Sequence, residues 1–432
     1  LGHEENVFVG RRDRLRGMFH GQAVLYSGTR GAGGLDKNFH YLPGLEAGNA
    51  FLLLSSESAA DKLFLDPADA PRPAEEMART SGISLLFGRG QIDAFLAAGL
   101  ALDPDVFFPD YYAPATDPAY LGPSSLAVIR LLAAYPQARL GSLNPMIIPM
   151  RMTKDGSEIG RLGQASDVTG LGLRAGMAAL RPGLLESDLQ GVIEREFLAR
   201  GAEGTSFASI GGSGPNSLIL HYEKNSRRME AGEVVVADVG ADVRHYAGDV
   251  TRTLPVSGVF TARQRQVYDA VLECQRRVFA ACRPGATLAG LNEVARAAAV
   301  ERGFGELFNF SGWRHSTSHH LGLDVHDTAY SSVPLSAGMV ITVEPGIYVP
   351  DENLGVRIED DVLITAGDGL VLSASAPRAA ADIKAAIAGV LPPSFGDDAG
   401  RRVTAPLLLR LVPRPGYGRI RGGPVPWSGP GD

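Results

Sequence analysis

The chain has 432 residues, 41 of them basic and 48 acidic, for a formal net charge of -7. Hydrophobic residues make up 45% and charged residues 21%, an ordinary globular balance with enough apolar matter for a large core. The acidic balance argues against general nucleic-acid binding, which needs a basic face, and no apolar run approaches the roughly 18 residues of a membrane helix. The 53 Gly and 28 Pro stay below the share that marks low-complexity chains. Cys274 and Cys282 fall in one expected helix, about 12 Å apart at the helical rise, too far for a bridge. A chain without disulfides suits a reducing cytoplasm, and the polar opening LGHEENVFVGRRDRLRG lacks a secretory apolar region. The expected location is therefore cytoplasmic.

Residues 1–150 read as a mixed α/β domain. Short apolar runs at 22–26, 51–54 and 63–65 are strand candidates, residues 74–100 are helical in part, and 103–123 read as a loop. A boundary falls near 145–156, where prolines precede a helix start. From there to about 390 the pattern is one of long amphipathic helices and buried strands. Ser187-Asp-Leu-Gln190 reads as a capping box, followed by Leu189, Val192, Ile193 and Phe197 on one face and a stop at Gly201. Thr261 caps a further helix that ends at Pro284-Gly285. Residues 391–432 carry eight Pro, eight Gly and six Arg, and are expected to be poorly ordered.

The second half repeats itself. RPGLLESDLQGVIEREFLARG (181–201) aligns without a gap on RPGATLAGLNEVARAAAVERG (283–303), and AGEVVVADVG (231–240) on AGMVITVEPG (337–346). Two matches in the same order, at offsets of 102 and 106, indicate a duplicated α+β unit. A pseudo-twofold relation between the copies would bring Asp238 and Glu344 to a shared interface.

The residues able to do chemistry gather in this half. Asp238 ends the apolar run EVVVAD, and Asp249 lies in YAGDVTRT, read as the return strand. A carboxylate closing a buried strand is costly unless paired or bound to a cation. His319 sits in HSTSHHLGLDVHD with His315, His320 and His326, Glu344 ends VITVE, and Glu359 follows Arg357 in GVRIEDD. Four carboxylates and one imidazole balance two divalent cations in charge. So oxygen-rich a set suits manganese, with cobalt and zinc as alternatives, and not a structural zinc. There is no HExxH and no P-loop; GGSGPNS (211–217) reads as a turn, though His221 is close by.

With these five residues in order, the chain resembles the pita-bread metallopeptidases, closest to their proline-specific members, the Xaa-Pro aminopeptidases (aminopeptidase P) and prolidases. The motifs that carry the likeness are GDVTRT (248–253), SHHLGLDVHD (318–327), TVEPGIY (342–348) and RIEDD (357–361), with a weaker match through RRDRL (11–15) and 38–54. The resemblance implies an α+β fold: a smaller N-terminal domain over 1–150 that roofs the cleft and a pseudo-twofold catalytic domain over 151–390. It implies Asp249 and Glu359 as bridging metal ligands, Asp238 on one ion, and His319 and Glu344 on the other. His221, His315 and His326 match outer histidines near the substrate, and Tyr348 and Arg357 match positions that line the proline pocket or hold Glu359. His320 departs from the usual apolar residue.

The activity expected is removal of an N-terminal residue that precedes proline. The bond is a tertiary amide with no N–H, which hinders proteases that grip an extended backbone. A hydroxide held between two metals attacks the carbonyl, His326 or His221 steadies the oxyanion, and Glu344 shuttles a proton to the leaving nitrogen. Prolidase activity on Xaa-Pro dipeptides is the main alternative. A metal-free peptide- or protein-binding module and metal-independent creatine hydrolysis are disfavoured by the intact ligand set. The family habit implies a homodimer or homotetramer; partners are peptides with proline second, with no nucleic acid and no membrane.

Overall fold

The computed structural model describes residues 6–28, 36–109, 123–310, 315–330 and 332–390. The segment 391–432, most of the loop expected at 103–123 and the first five residues lie outside the described residues. The chain divides into two compact units. The first runs to Met152 and takes in Asp327–Tyr330; the second comprises Thr153–His326 and the described residues after 331.

The first unit is built on one six-stranded sheet. Its order is Leu85–Phe87, Ser58–Phe64, Phe51–Ser55, Gln22–Tyr26, Asp105–Phe108, Arg139–Ser142. The three apolar runs expected as strands are three of its members. Gln22–Tyr26 pairs antiparallel with Phe51–Ser55 but parallel with Asp105–Phe108, so the sheet is mixed. Val24, Leu53, Phe64 and Phe108 pack against Leu96 and Leu100 of the helix Ile92–Leu100 and against Val128. The prolines near 145 do not break the chain there: Asn144–Met152 is helical, with Pro149 inside it. Pro145 sits in the first turn, where a missing N–H leaves nothing unbonded, which is why the proline-rich reading missed this helix.

The second unit is α+β. Gly156–Ala179 is its longest helix, and Asp155 starts it. The Asp155 carboxylate accepts from the N–H groups of Ser157 (2.9 Å) and Glu158 (3.0 Å), and Glu158 accepts from Asp155 N–H (3.0 Å). Thr261 caps Ala262–Ala281 with Gln264 in the same reciprocal way. The box expected from Ser187 is displaced. The helix is Glu186–Ala199, and Asp188 accepts from Leu185 N–H at 2.8 Å, because a carboxylate three residues on can satisfy an N-terminal donor whatever residue precedes the helix. Cys274 and Cys282 are buried free thiols; Cys282 ends the helix and does not lie within it.

The duplication is visible element by element. Glu186–Ala199 and Leu288–Glu301 are 102 residues apart at both ends. Gly156 and Ala262, which begin the long helices, are 106 apart, as are Val234 and Val340, which begin the central strands. The backbone repeats too: Gly183 and Gly285 have φ of 91° and 90°, Gly232 and Gly338 of 86° and 93°. These are left-handed turns that only glycine enters freely.

Two three-stranded antiparallel sheets result, Ile210–Ser213 with Val234–Val239 and Val250–Pro255, and Val340–Val343 with Asp360–Ile364 and Gly369–Val371. They meet where Glu359 N–H donates to Thr251 carbonyl at 3.0 Å. Val234, Val235, Ala237, Val239 and Leu254 are buried with Leu189, Ile193 and Phe197 of the flanking helix.

Candidate metal centre

Sheet register sets the carboxylates. Asp238 stands opposite Thr251 in the first sheet. In the second, Val343 stands opposite Asp360, so one further step of the same ladder puts Glu344 across from Glu359. Asp249 immediately precedes Val250 at the start of its strand. Each sheet therefore ends with its acids at the junction of the two halves.

There the structure brings the five expected ligands to one cavity of about 530 Å³, whose lining includes Asp238, Asp249, His319, Glu344 and Glu359. One ligand atom each from Asp249, His319 and Glu359 lies within 4.8 Å of the other two. His319 Nε2 is 3.4 Å from Asp249 Oδ2 and 3.5 Å from Glu344 Oε1. Its Nδ1 faces the His320 carbonyl at 3.1 Å and must carry the ring proton to donate there. That leaves Nε2 as the ring nitrogen aimed at the acids, the orientation a metal ligand needs.

Three of the acids are held above their ordinary range by burial and by one another. Burial, and then the charge of Asp238, raises the Asp249 carboxyl well above its ordinary range. Glu359 is raised well above its range by burial and then by Asp249 and Glu344. Glu344 is pushed up to about 7, first by burial, with Asp249 adding to it and His319 opposing it. Asp238 Oδ1 is buried with no hydrogen-bond partner. A buried orphan oxygen, mutually repelling carboxylates and an imidazole nitrogen aimed at them are the donor set of hard or borderline divalent ions, and they fit two of them in charge.

Behind these residues runs a supporting layer. Thr251 Oγ1 donates to Glu359 Oε2 at 2.6 Å. Arg357 Nη2 donates to Asp238 Oδ2 at 2.7 Å, its Nε to Thr251 Oγ1 at 3.2 Å and its Nη1 to Tyr348 OH at 3.1 Å. The Tyr348 hydroxyl lies 3.1 Å from His315 Nε2, and His315 Nδ1 faces the Ser316 carbonyl at 2.8 Å. Both nitrogens of His315 are thus engaged. Burial and the Arg357 charge push this ring down to about 3, so it stays neutral.

Arg357, His221, His315 and His326 line the cavity as expected. Tyr348 does not: its side chain is fully buried one layer back, because the alternation of Gly346–Val349 turns it toward Arg357 and His315. His221 and His326 make no hydrogen bond to a described residue, and the His326 ring stands edge-on to His319 with centroids 4.4 Å apart. His326 is held toward its neutral form by burial and by His319 and His221. His320 is buried behind the wall, bridged to Ile341. The GGSGPNS segment forms the strand Ile210–Ser213 and a short 3-10 turn, and its residues do not line the cavity.

Sequence reasoning missed Asp361, whose Oδ2 accepts from Ser166 Oγ at 2.6 Å and from Asp249 N–H at 3.2 Å. Its place beside Glu359 in RIEDD was a signal that strand alternation would have read: 359 and 361 share a face, and Asp360 points the other way to Arg252 at 2.7 Å. Phe207, Ala208, Leu220 and Val325 also line the cavity, with no sequence signal to mark them.

The sequence profile described as metallopeptidase family M24 matches residues 160–366. Xaa-Pro aminopeptidase 3 of Mus musculus is 33% identical over 384 residues, covering 81% of this chain and 76% of that protein. Xaa-Pro dipeptidase of Pyrococcus horikoshii is 37% identical over 227 residues, which cover 52% of this chain and 63% of that protein. Among solved structures, proline aminopeptidase P II from Yersinia pestis superposes with a TM-score of 0.75 at 29% identity, covering 88% of this chain and 98% of that one.

Proposed function

This chain belongs to metallopeptidase family M24 and is an enzyme of the pita-bread fold, and from that premise we propose that it is an Xaa-Pro aminopeptidase. The observation that carries the reading is the convergence of Asp238, Asp249, His319, Glu344 and Glu359 on one cavity. We assign these five as the holders of two divalent ions, with manganese as the metal. When bound, such ions lower the pKa of water toward neutrality and polarise the scissile carbonyl.

The remaining steps fall to the chain's own groups. Hydrolysis puts the water oxygen on the carbonyl carbon, breaks the C–N bond and leaves a proton on the proline nitrogen. Glu344 is the carrier of that proton, because its oxygens face both His319 Nε2 and the cavity. His221 and His326 have ring nitrogens available to the carbonyl oxygen of the substrate. His315 has none to spare, so its role is to hold the wall in place and not to transfer protons. Arg357 fixes Asp238, and Tyr348 acts through Arg357 and His315 without touching substrate.

Aminopeptidase is favoured over dipeptidase by the reach of the likeness. The match to the mouse aminopeptidase spans 81% of the chain, that to the archaeal dipeptidase 52%. The Ser318 form of the SHHLGLDVHD motif leans the same way. We further propose a cytoplasmic homodimer or homotetramer; among the described residues no helix is long and apolar enough to cross a membrane.

The test is a peptide-length series with manganese, before and after chelation. Release of the first residue from Ala-Pro-Ala, lost on chelation and restored by metal, is the expected result. Turnover of Ala-Pro alone would establish a dipeptidase, and activity untouched by chelation would overturn the assignment.

A further inference from the structure

The cavity has two walls, one hung on each half of the duplication. The first runs from Phe207 to Glu223 and carries His221; the second holds His315, Ser316, Ser318 and His319. The first wall is braced by the short strand Ile210–Ser213 and the second by backbone hydrogen bonds between Thr317, His319 and Leu321 and residues 340–344, yet each must also hold an imidazole side chain in a fixed place. Side-chain hydrogen bonds add a link from each wall to the flanking helix of its own half.

On the first side, Asn225 is buried in the left-handed conformation at φ 45°. Its Nδ2 donates to Gln190 Oε1 at 2.9 Å and to the Ser209 carbonyl at 2.7 Å, and its Oδ1 accepts from Gly211 N–H at 2.8 Å. On the second side, Asn309 is buried at φ 47°. Its Nδ2 reaches Thr317 Oγ1 at 3.1 Å and the His315 carbonyl at 3.2 Å, and its Oδ1 accepts from Gly346 N–H at 2.7 Å. Thr317 Oγ1 donates in turn to Asn292 Oδ1 at 2.8 Å, and the Thr317 carbonyl accepts from Glu344 N–H at 2.8 Å.

Gln190 and Asn292 are the same position of the repeat, 102 residues apart and fifth in their helices. The two left-handed asparagines are not equivalent in the repeat; one follows its wall and the other precedes it. Asparagine suits both places because it tolerates this backbone and offers a donor and an acceptor together. We propose that these are paired positioning clamps, Gln190–Asn225 and Asn292–Thr317–Asn309, which set where His221 and the His315–His319 segment stand across the cavity. The proposal rests on the peptidase reading above and adds the residues that hold its geometry. Sub-ångström placement of groups facing a reacting carbonyl is worth orders of magnitude in rate, so a clamp remote from the metals should show in turnover.

The test uses the metal-loaded full chain with Ala-Pro-Ala as substrate. Asn292→Leu removes the acceptor for Thr317, whereas Asn292→Asp keeps it. Asn225→Gly keeps the left-handed turn and removes the amide. We expect Asn292→Leu and Asn225→Gly each to lower kcat by about tenfold or more, with KM and bound metal per chain little changed. Asn292→Asp should stay within about threefold of the parent. Should Asn292→Leu not fold, Thr317→Val breaks the same link and is read in its place. A kcat within about twofold of the parent in the Leu and Gly variants, or equal losses in Leu and Asp, overturns the proposal. If the parent turns over no Xaa-Pro peptide, the peptidase reading falls by itself. Hydrogen exchange across 315–321 then decides: faster exchange in Asn292→Leu supports the clamp and unchanged exchange overturns it.

Discussion

Asp249 and Glu359 are destabilised as anions by burial and by the neighbouring carboxylates. Replacing either by its amide, Asp249→Asn or Glu359→Gln, relieves that repulsion. The metal-free variants should therefore melt at or above the metal-free parent, by up to about 2 kcal/mol, while losing the rise in Tm that metal gives the parent and at least about a thousandfold in kcat. A variant that melts lower without metal would show that the acids are held by protein contacts alone. Tyr348→Phe tests the supporting layer. It deletes the hydroxyl between Arg357 and His315, and should cost about 1–2 kcal/mol in stability with metal affinity unchanged, read by denaturant melts and metal titration. At this scale the sequence was most legible. The five residues proposed to hold the metals end apolar runs or sit in dense motifs, so their types and spacing could be read directly. Asp361 was legible only through strand alternation, which puts it on the face of Glu359 and Asp360 on the other, while Thr251 could not be told from its neighbours.

Elements followed periodicity where it was strong and departed from it at prolines and caps. The duplicated helices and strands were predicted from aligned segments, and the repeated glycine turns support that alignment in backbone angles. The helix Asn144–Met152 was hidden by prolines whose positions in the helix decide their effect. The glycine pairs give a prediction at this scale. A Cβ on Gly232 would meet nothing within 4 Å, so Gly232→Ala should lose only the left-handed backbone preference, about 1 kcal/mol. On Gly338 it would lie 3.1 Å from Thr153 Cγ2 and 3.2 Å from the Lys154 carbonyl, so Gly338→Ala should lose more. Denaturant midpoints that rank the two the other way would contradict this account of the repeat.

In the whole molecule, the duplication matters because it assembles a site that neither half could hold alone. Asp238 and Asp249 come from one copy, Glu344 and Glu359 from the other, and they meet where Glu359 bonds to Thr251. The sequence could show that a copy existed and that Asp238 and Glu344 would share its interface, but the contact that joins the copies, Glu359 N–H to the Thr251 carbonyl, lies past the paired rungs of the ladders, where no local pattern reveals it. The measurement that bears most directly on the central claim is the number of divalent ions bound per chain at saturating manganese. The parent should hold two, and Asp249→Asn and Glu359→Gln fewer. A parent that binds none, or variants that still bind two, would contradict it.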